Sequence, residues 1–313
     1  MESQVEHSDE ISASRPWLGG YAVLLLGALG IAFAAIFVRM SETGPVASAF
    51  WRMVLAVPVL ALFAFRHERR GGRRIRILLS ETSGAEWRLI LGAGIMLGAD
   101  LAVWHLSIMW TTVANATLLA NVAPCFVALW LWVKYRERPA PLMFAALGVA
   151  GCSLAMLVST SAGLGGTRLT GDVLGILTAV CYAAYLLLIK AVRRTWPTLL
   201  AMAVTSFVTA VVLAPFAIWE GDWLPGSLSG WGILAALAMI SQVGGQTLIV
   251  HGLKTVPATL GSLSLLLQPV VTAALGWLIF AESFGPRTFT GFSMLLVAIV
   301  LARLAQGRPP VSP

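Results

Sequence analysis

Residues 118–144 read LLANVAPCFVALWLWVKYRERPAPLMF, and residues 263–289, which repeat the same spaced pattern, read LSLLLQPVVTAALGWLIFAESFGPRTF. Identical positions include Leu118 with Leu263, Pro124 with Pro269, Trp132 with Trp277, Glu137 with Glu282, Pro141 with Pro286 and Phe144 with Phe289. Apolar helices share single residues by chance, but an ungapped series of Pro, Trp, Glu, Pro and Phe indicates duplication. The chain therefore contains a duplicated pair of helices.

The composition indicates a membrane protein. Of the 313 residues, 58% are hydrophobic and only 11% are charged, which lies outside the range of ordinary soluble domains. A bilayer core about 30 Å thick needs about 20 apolar residues per helix. Such runs predict an all-α integral membrane protein with ten transmembrane helices, at about residues 17–38, 45–65, 87–108, 112–133, 140–159, 171–191, 198–219, 230–250, 256–280 and 286–304.

The positive charges predict the orientation of these helices. With the N-terminus inside, seventeen of the 21 Lys and Arg residues fall in inner segments, and the outer segments contain only Arg39, Arg168 and Arg287. This positive-inside distribution predicts a multi-pass protein of the bacterial inner membrane with both termini in the cytoplasm. The membrane orientation then accounts for the net charge of +7, so we expect no nucleic-acid partner. The cluster from Arg66 to Arg76 can contact anionic lipid headgroups.

The duplication extends to the whole chain. It predicts a cytoplasmic tail at 1–16, a first five-helix repeat at 17–160, a second at 171–305 and a second tail at 306–313. Because five is an odd number, the second repeat must enter the membrane inverted, which puts Glu137 in an inner connection and Glu282 in an outer one. Inverted repeats are a recurring plan of secondary transporters, with the substrate site near the midplane.

The chain resembles a known family in three features: two five-helix units, the Pro-x12-Glu spacing in each (Pro124 to Glu137, Pro269 to Glu282), and Phe50-Trp51-Arg52 at the start of the second span. Together they are similar to the EamA-type members of the drug/metabolite transporter superfamily. The resemblance implies export of amino acids, related metabolites or drugs. It also implies a central cavity lined by helices 1 to 4 and 6 to 9, with helices 5 and 10 at the periphery.

Two charged residues fall inside predicted spans. Arg52 and Asp100 lie at a similar depth, about seven and eight residues from the outer ends of their helices. A charge at mid-bilayer costs about 3 kcal/mol on insertion scales, so each of these residues is expected to have a structural or functional role. Two interpretations stay open: an ion pair that only locks the two helices together, or direct contact with a substrate.

Several helices also carry polar residues at helical spacing, which indicates faces turned toward a cavity or a helix contact. With Arg52 and Asp100, the substrate-binding candidates are Trp104, Asn115, Tyr182, Tyr185, Gln242, Gln246 and Gln268. Pro124 and Pro269 each remove a backbone hydrogen bond inside a span and are matched by the repeat, so we predict that they act as hinges.

The residues predict no catalytic or metal-binding group. No nucleophile with a base at one depth occurs, and Cys125, Cys152 and Cys181 are not in a CxxC spacing. We therefore expect no cofactor, no enzyme activity and a monomer whose partners are lipid and a small-molecule substrate. The leading hypothesis is export of metabolites, with amino acids first, by alternating access.

Alternative functions remain open at this point. Organic-cation or multidrug efflux would require an unpaired Asp100 facing the cavity, and the small four-helix multidrug relatives use a carboxylate in the first helix, where residues 17–38 contain no acidic residue. A passive metabolite channel would keep both gates open together. A lipid-modifying enzyme would need clustered catalytic groups.

Overall fold

The computed structural model describes residues 16–70, 80–135, 141–162, 166–252, 267–282 and 285–306. Nearly all of these residues are helical, and none of them lies in a β-strand. The elements are α1 (Pro16–Ala32), α2 (Ala34–Met40), α3 (Pro45–Arg70), α4 (Gly84–Trp110), α5 (Val113–Ala120), α6 (Ala123–Tyr135), α7 (Pro141–Ala162), α8 (Gly166–Val192), α9 (Thr198–Glu220), α10 (Leu228–Ala236), a π-helix (Leu237–Gln246), α11 (Thr247–Gly252), α12 (Leu267–Phe280) and α13 (Pro286–Gln306).

Seven helical stretches in the described residues are long and apolar enough to cross a membrane: Ala22–Met40, Pro45–His67, Gly84–Trp110, Val113–Lys134, Gly166–Val192, Thr198–Glu220 and Leu228–Ile249. Three shorter apolar helices, Pro141–Leu157, Leu267–Phe280 and Pro286–Leu301, fall in the other predicted spans. The all-α membrane class is therefore confirmed. Residues 256–266 of the predicted ninth span lie outside the described part of the chain.

Local sequence explains where helices begin. Ser83 and Glu86 form a capping box at the start of α4, in which the Ser83 hydroxyl accepts from the Glu86 amide and the Glu86 carboxylate accepts from the Ser83 amide. Thr112 and Ser227 accept from backbone amides at the starts of α5 and α10. Pro45, Pro141 and Pro286 each occupy a first helical position, where proline's missing N–H has no partner to lose.

Two of the long stretches are not regular α-helices. α5 and α6 are separated at Asn121 and Val122, just before Pro124, which has no N–H to continue the α-helical ladder. The stretch Leu228–Ile249 changes from α10 into the π-helix, a change that the hydrophobic pattern did not predict. Such π segments leave side chains at an altered angle and occur often at functional sites. Gln242 lies in this π-helix.

Close packing joins helices from the two halves of the sequence. α3 packs on α9, α4 on α8, α5 on α12, α7 on α13, and α1 on the π-helix and α11. Glycines permit two close approaches between helices. A Cβ on Gly94 of α4 would lie 2.5 Å from Cγ1 of Val208 on α9, and one on Gly30 of α1 would lie 2.9 Å from the carbonyl oxygen of Ile240 in the π-helix. Phe207, Val211 and Phe216 of α9 are each more than half exposed, as expected of apolar side chains in contact with lipid.

Candidate functional site

A buried arginine links the two halves at the middle of the bundle. Arg52 on α3 is 3% exposed, and its Nε donates a hydrogen bond to Oε1 of Gln242 in the π-helix, 3.1 Å away. Gln242 is itself 5% exposed. A buried guanidinium is stable only when its donors are bonded, so this contact fixes the position of both side chains.

Three predicted residues surround this pair. Asp100 on α4 is buried, and its charge interacts with the charge of Arg52 and with Tyr185 on α8. Tyr182 interacts electrostatically with Arg52, and the rings of Tyr182 and Tyr185 stack with centroids 5.8 Å apart. We call Arg52, Asp100, Tyr182, Tyr185 and Gln242 the central polar cluster; it joins four predicted spans, two from each repeat.

The predicted Arg52 to Asp100 pairing takes an indirect form. Among the described residues, the direct ion pair that the structure contains is that of Arg39 with Glu282, at 3.7 Å. The Nε hydrogen bond of Arg52 goes instead to Gln242, and Asp100 acts on the guanidinium electrostatically. The cluster therefore contains a guanidinium and a carboxyl group that do not form a direct ion pair with each other.

Trp104 lies one helical turn beyond Asp100 on α4. Its indole is 9% exposed, and its Nε1 is a buried donor without a hydrogen-bond partner among the described residues. The ring packs against apolar residues of α2 and α5, including Ile36 and Val113. A buried N–H of this kind can donate to a polar atom of a ligand at the border between the cluster and an apolar layer.

Asn115 occupies a different site from the cluster. Its Nδ2 lies 3.4 Å from Oδ1 of Asp172, which also accepts a hydrogen bond from the Thr111 hydroxyl at 2.6 Å. Asp172 is fully buried, and sequence reasoning missed it because it falls at the edge of a predicted span, where an acidic residue is expected to face water. Asn115 thus joins α5 to α8 through Asp172.

The remaining candidates lie apart from these contacts. Gln246 and Gln268 are half-buried, and no hydrogen bond described for them connects either one to the central polar cluster. Pro124 is the second residue of α6, and Pro269 is buried near the start of α12. Their role as hinges stays a prediction.

Sequence reasoning also underrated His105. This residue is fully buried, its Nδ1 lies 2.8 Å from the Ser48 hydroxyl, and its ring contacts that of Trp104. His105 and Ser48 thereby fix α4 against the start of α3, beside the cluster. A lone histidine in an apolar span gives little signal in sequence, because its partners, the Ser48 hydroxyl and the Pro45 carbonyl oxygen, lie on another helix.

A charged and aromatic cluster buried between the two halves of an apolar helical bundle defines this chain as a membrane transport protein. The chain belongs to the EamA-like transporter family, whose model matches residues 18–159 and again residues 169–304. The predicted resemblance to this branch of the drug/metabolite transporter superfamily is therefore confirmed.

Related proteins carry transporter names. An uncharacterized transporter of Archaeoglobus fulgidus is 27% identical over 84% of this chain and 89% of its own length. The pseudopaline exporter CntI of Pseudomonas aeruginosa is 26% identical over 70% of this chain and 76% of its own length. The uncharacterized transporter YwfM of Bacillus subtilis is 25% identical over 70% of this chain and 74% of its own length.

A solved protein structure shares the fold. It superposes with a TM-score of 0.61 and covers 91% of this chain and 96% of its own, at 17% sequence identity. At that identity the likeness concerns the fold alone.

Proposed function

We propose that the protein is a secondary carrier that exports small zwitterionic metabolites, amino acids first, from the bacterial cytoplasm by alternating access. The observation that carries the proposal is the central polar cluster. Arg52 can bind a carboxylate with its remaining donors, Asp100 can bind an ammonium group, and the stacked tyrosines can contact an apolar side chain. Opposite charges suit a zwitterion because both of its charges find a partner inside the membrane.

We further propose that residues 17–160 and 171–305 are two five-helix repeats in opposite orientations, with both termini in the cytoplasm. Two observations support this division. The family model matches the chain twice, at 18–159 and 169–304. The packing is also reciprocal. α4 packs on α8, and the equivalent contact is that of the π-helix and α11 with α1. Each of α3, α5 and α7 packs on its counterpart in the second repeat, which is α9, α12 and α13 respectively.

The test is transport by purified protein in liposomes. A panel of amino acids, organic cations and nucleotide sugars is tested with and without a proton gradient, and counter-flow is measured for every compound that moves. We expect counter-flow of one or more amino acids, and its loss in Arg52→Gln and in Asp100→Asn. Arg287→Gln, which removes an exposed positive charge, is the matched control and should transport normally.

Other outcomes identify the alternatives. Movement of organic cations alone, abolished by Asp100→Asn but not by Arg52→Gln, would indicate cation efflux. Flux that does not saturate and shows no counter-flow would indicate a passive channel. Either result would overturn the proposal.

A further inference from the structure

One end of the molecule is closed by contacts between the two family-matched segments. Arg39, at the end of α2, donates to the carbonyl oxygens of Ile108 and Thr111, at 2.5 and 2.6 Å. Its guanidinium also pairs with the carboxylate of Glu282 at 3.7 Å and lies over the ring of Phe280. The Glu282 side chain is 7% exposed and the Arg39 side chain is 25% exposed, so the carboxylate of this ion pair is largely shielded from water and the guanidinium partly so.

Carboxylates of the second segment also cap helices of the first. Glu282 accepts from the backbone amide of Val113, at the start of α5, at 2.7 Å. Glu220 accepts from the amide of Ala47, at the start of α3, at 3.0 Å. The first amides of a helix have no partner within it and carry a partial positive charge, so an acceptor from the opposite segment stabilises the junction.

The first segment makes the reverse contact. The carboxylate of Glu42 accepts from the amide of Ser227 at 3.1 Å and from its hydroxyl, at the start of α10. The amide of Gly44 donates to the carbonyl oxygen of Asp222 at 2.9 Å. We call the contacts made by Arg39, Glu42, Glu220 and Glu282 the outer seam, because the charge distribution predicts that these connections face outside.

An apolar layer separates the seam from the central polar cluster. Along α4, Asp100 belongs to the cluster, Trp104 and Ile108 belong to a buried apolar group, and Thr111 accepts from Arg39 at the seam. The group also contains Leu237 of the π-helix. With the seam formed, a solute in the cluster is therefore cut off from the outer end.

We propose that the outer seam is the outer gate of the carrier, locked by the Arg39–Glu282 pair, and that its contacts break when substrate leaves. The inference rests on the proposed function and on the predicted orientation. The contacts join segments that must separate for release. Each of them is polar, so both partners can be hydrated when the seam opens, and the closed and open states differ by a small free energy.

The test measures access to a native cysteine. Cys181 is half-buried on α8, directly before Tyr182 of the central polar cluster, and becomes the sole cysteine after Cys125→Ala and Cys152→Ala. A membrane-impermeant maleimide is added outside right-side-out vesicles, and the labelling rate is measured. We expect Glu282→Gln and Arg39→Gln each to increase the rate about tenfold, because a shielded ion pair with charge-assisted hydrogen bonds is lost.

Control variants distinguish opening of the gate from a general effect of the substitutions on folding. Arg287→Gln, at an exposed position in the first turn of α13, should leave the rate unchanged. Arg39→Lys keeps the charge with fewer donors and should give a smaller increase, so a result is available even where Glu282→Gln does not fold. The double variant should label no faster than the faster single variant, because both changes break one pair.

Two results would overturn the gate. One is an unchanged rate in every folded variant, and the other is an increase seen only when the reagent is added on the cytoplasmic side. The assay uses no transported substrate, so its failure differs from the failure of the proposed function, which would appear as absence of counter-flow for every compound.

Discussion

Arg52 and Gln242 account for the position of the central polar cluster. Both were candidates from sequence, because a polar residue in an apolar span is expected to have a hydrogen-bond partner or a functional role. Their contact with each other was not predicted. Helical spacing identifies the face on which a residue lies; it does not identify the facing residue on a distant helix. For this reason the sequence did not predict that the Arg52 hydrogen bond goes to Gln242. The similar depth of Arg52 and Asp100 favoured a direct ion pair instead.

We predict that Gln242→Ala destabilises the protein and impairs transport. The change removes the acceptor of the Arg52 Nε and leaves a buried donor without its bond, at about 2 kcal/mol. Thermal unfolding in detergent should begin several degrees lower, and counter-flow should fall at least about tenfold. Gln246→Ala, one turn along the same segment, is the control for unfolding and should have little effect on the unfolding temperature. Equal effects of the two changes would reject the role of the Arg52 contact.

At the scale of elements, helix starts and apolar lengths were predictable, and the irregular segments were not. Caps such as Ser83 with Glu86 and the prolines at first helical positions are local signals. The π-helix depends on tertiary contact, because α1 approaches it closely through Gly27 and Gly30. The sequence does not identify the segment that packs against these glycines.

We predict that Gly30→Ala disturbs the π-helix and, with it, Gln242. The new Cβ would lie 2.9 Å from the carbonyl oxygen of Ile240, a backbone atom that cannot rotate away. Overpacking of this kind costs about 1 to 3 kcal/mol. Gly148→Ala on α7 is the control, because its Cβ meets no atom within 4 Å, and it should be neutral or slightly stabilising. Thermal unfolding and counter-flow of both variants test the prediction, and equal behaviour would contradict it.

At the scale of the whole molecule, most of the prediction rested on the duplicated sequence pattern. The Pro and Glu positions of residues 118–144 and 263–289 helped to identify the family correctly, and the family model matches residues 18–159 and 169–304. The charge distribution adds an orientation that helix packing alone cannot give. The outer seam escaped prediction because Glu282 read as an exposed loop residue, whereas it is buried against Arg39 and the start of α5.

The central claim is that the two repeats lie in the membrane in opposite orientations. Its most direct test is to determine on which side of the membrane each of their two matched connections lies. Single cysteines are introduced as Arg138→Cys, next to Glu137, and as Ser283→Cys, next to Glu282, in a chain without its native cysteines. In right-side-out vesicles, an impermeant maleimide should label the cysteine at 283 at once and the one at 138 only after the membrane is permeabilised. Labelling of both from the same side would contradict the inverted repeat and the carrier mechanism built on it.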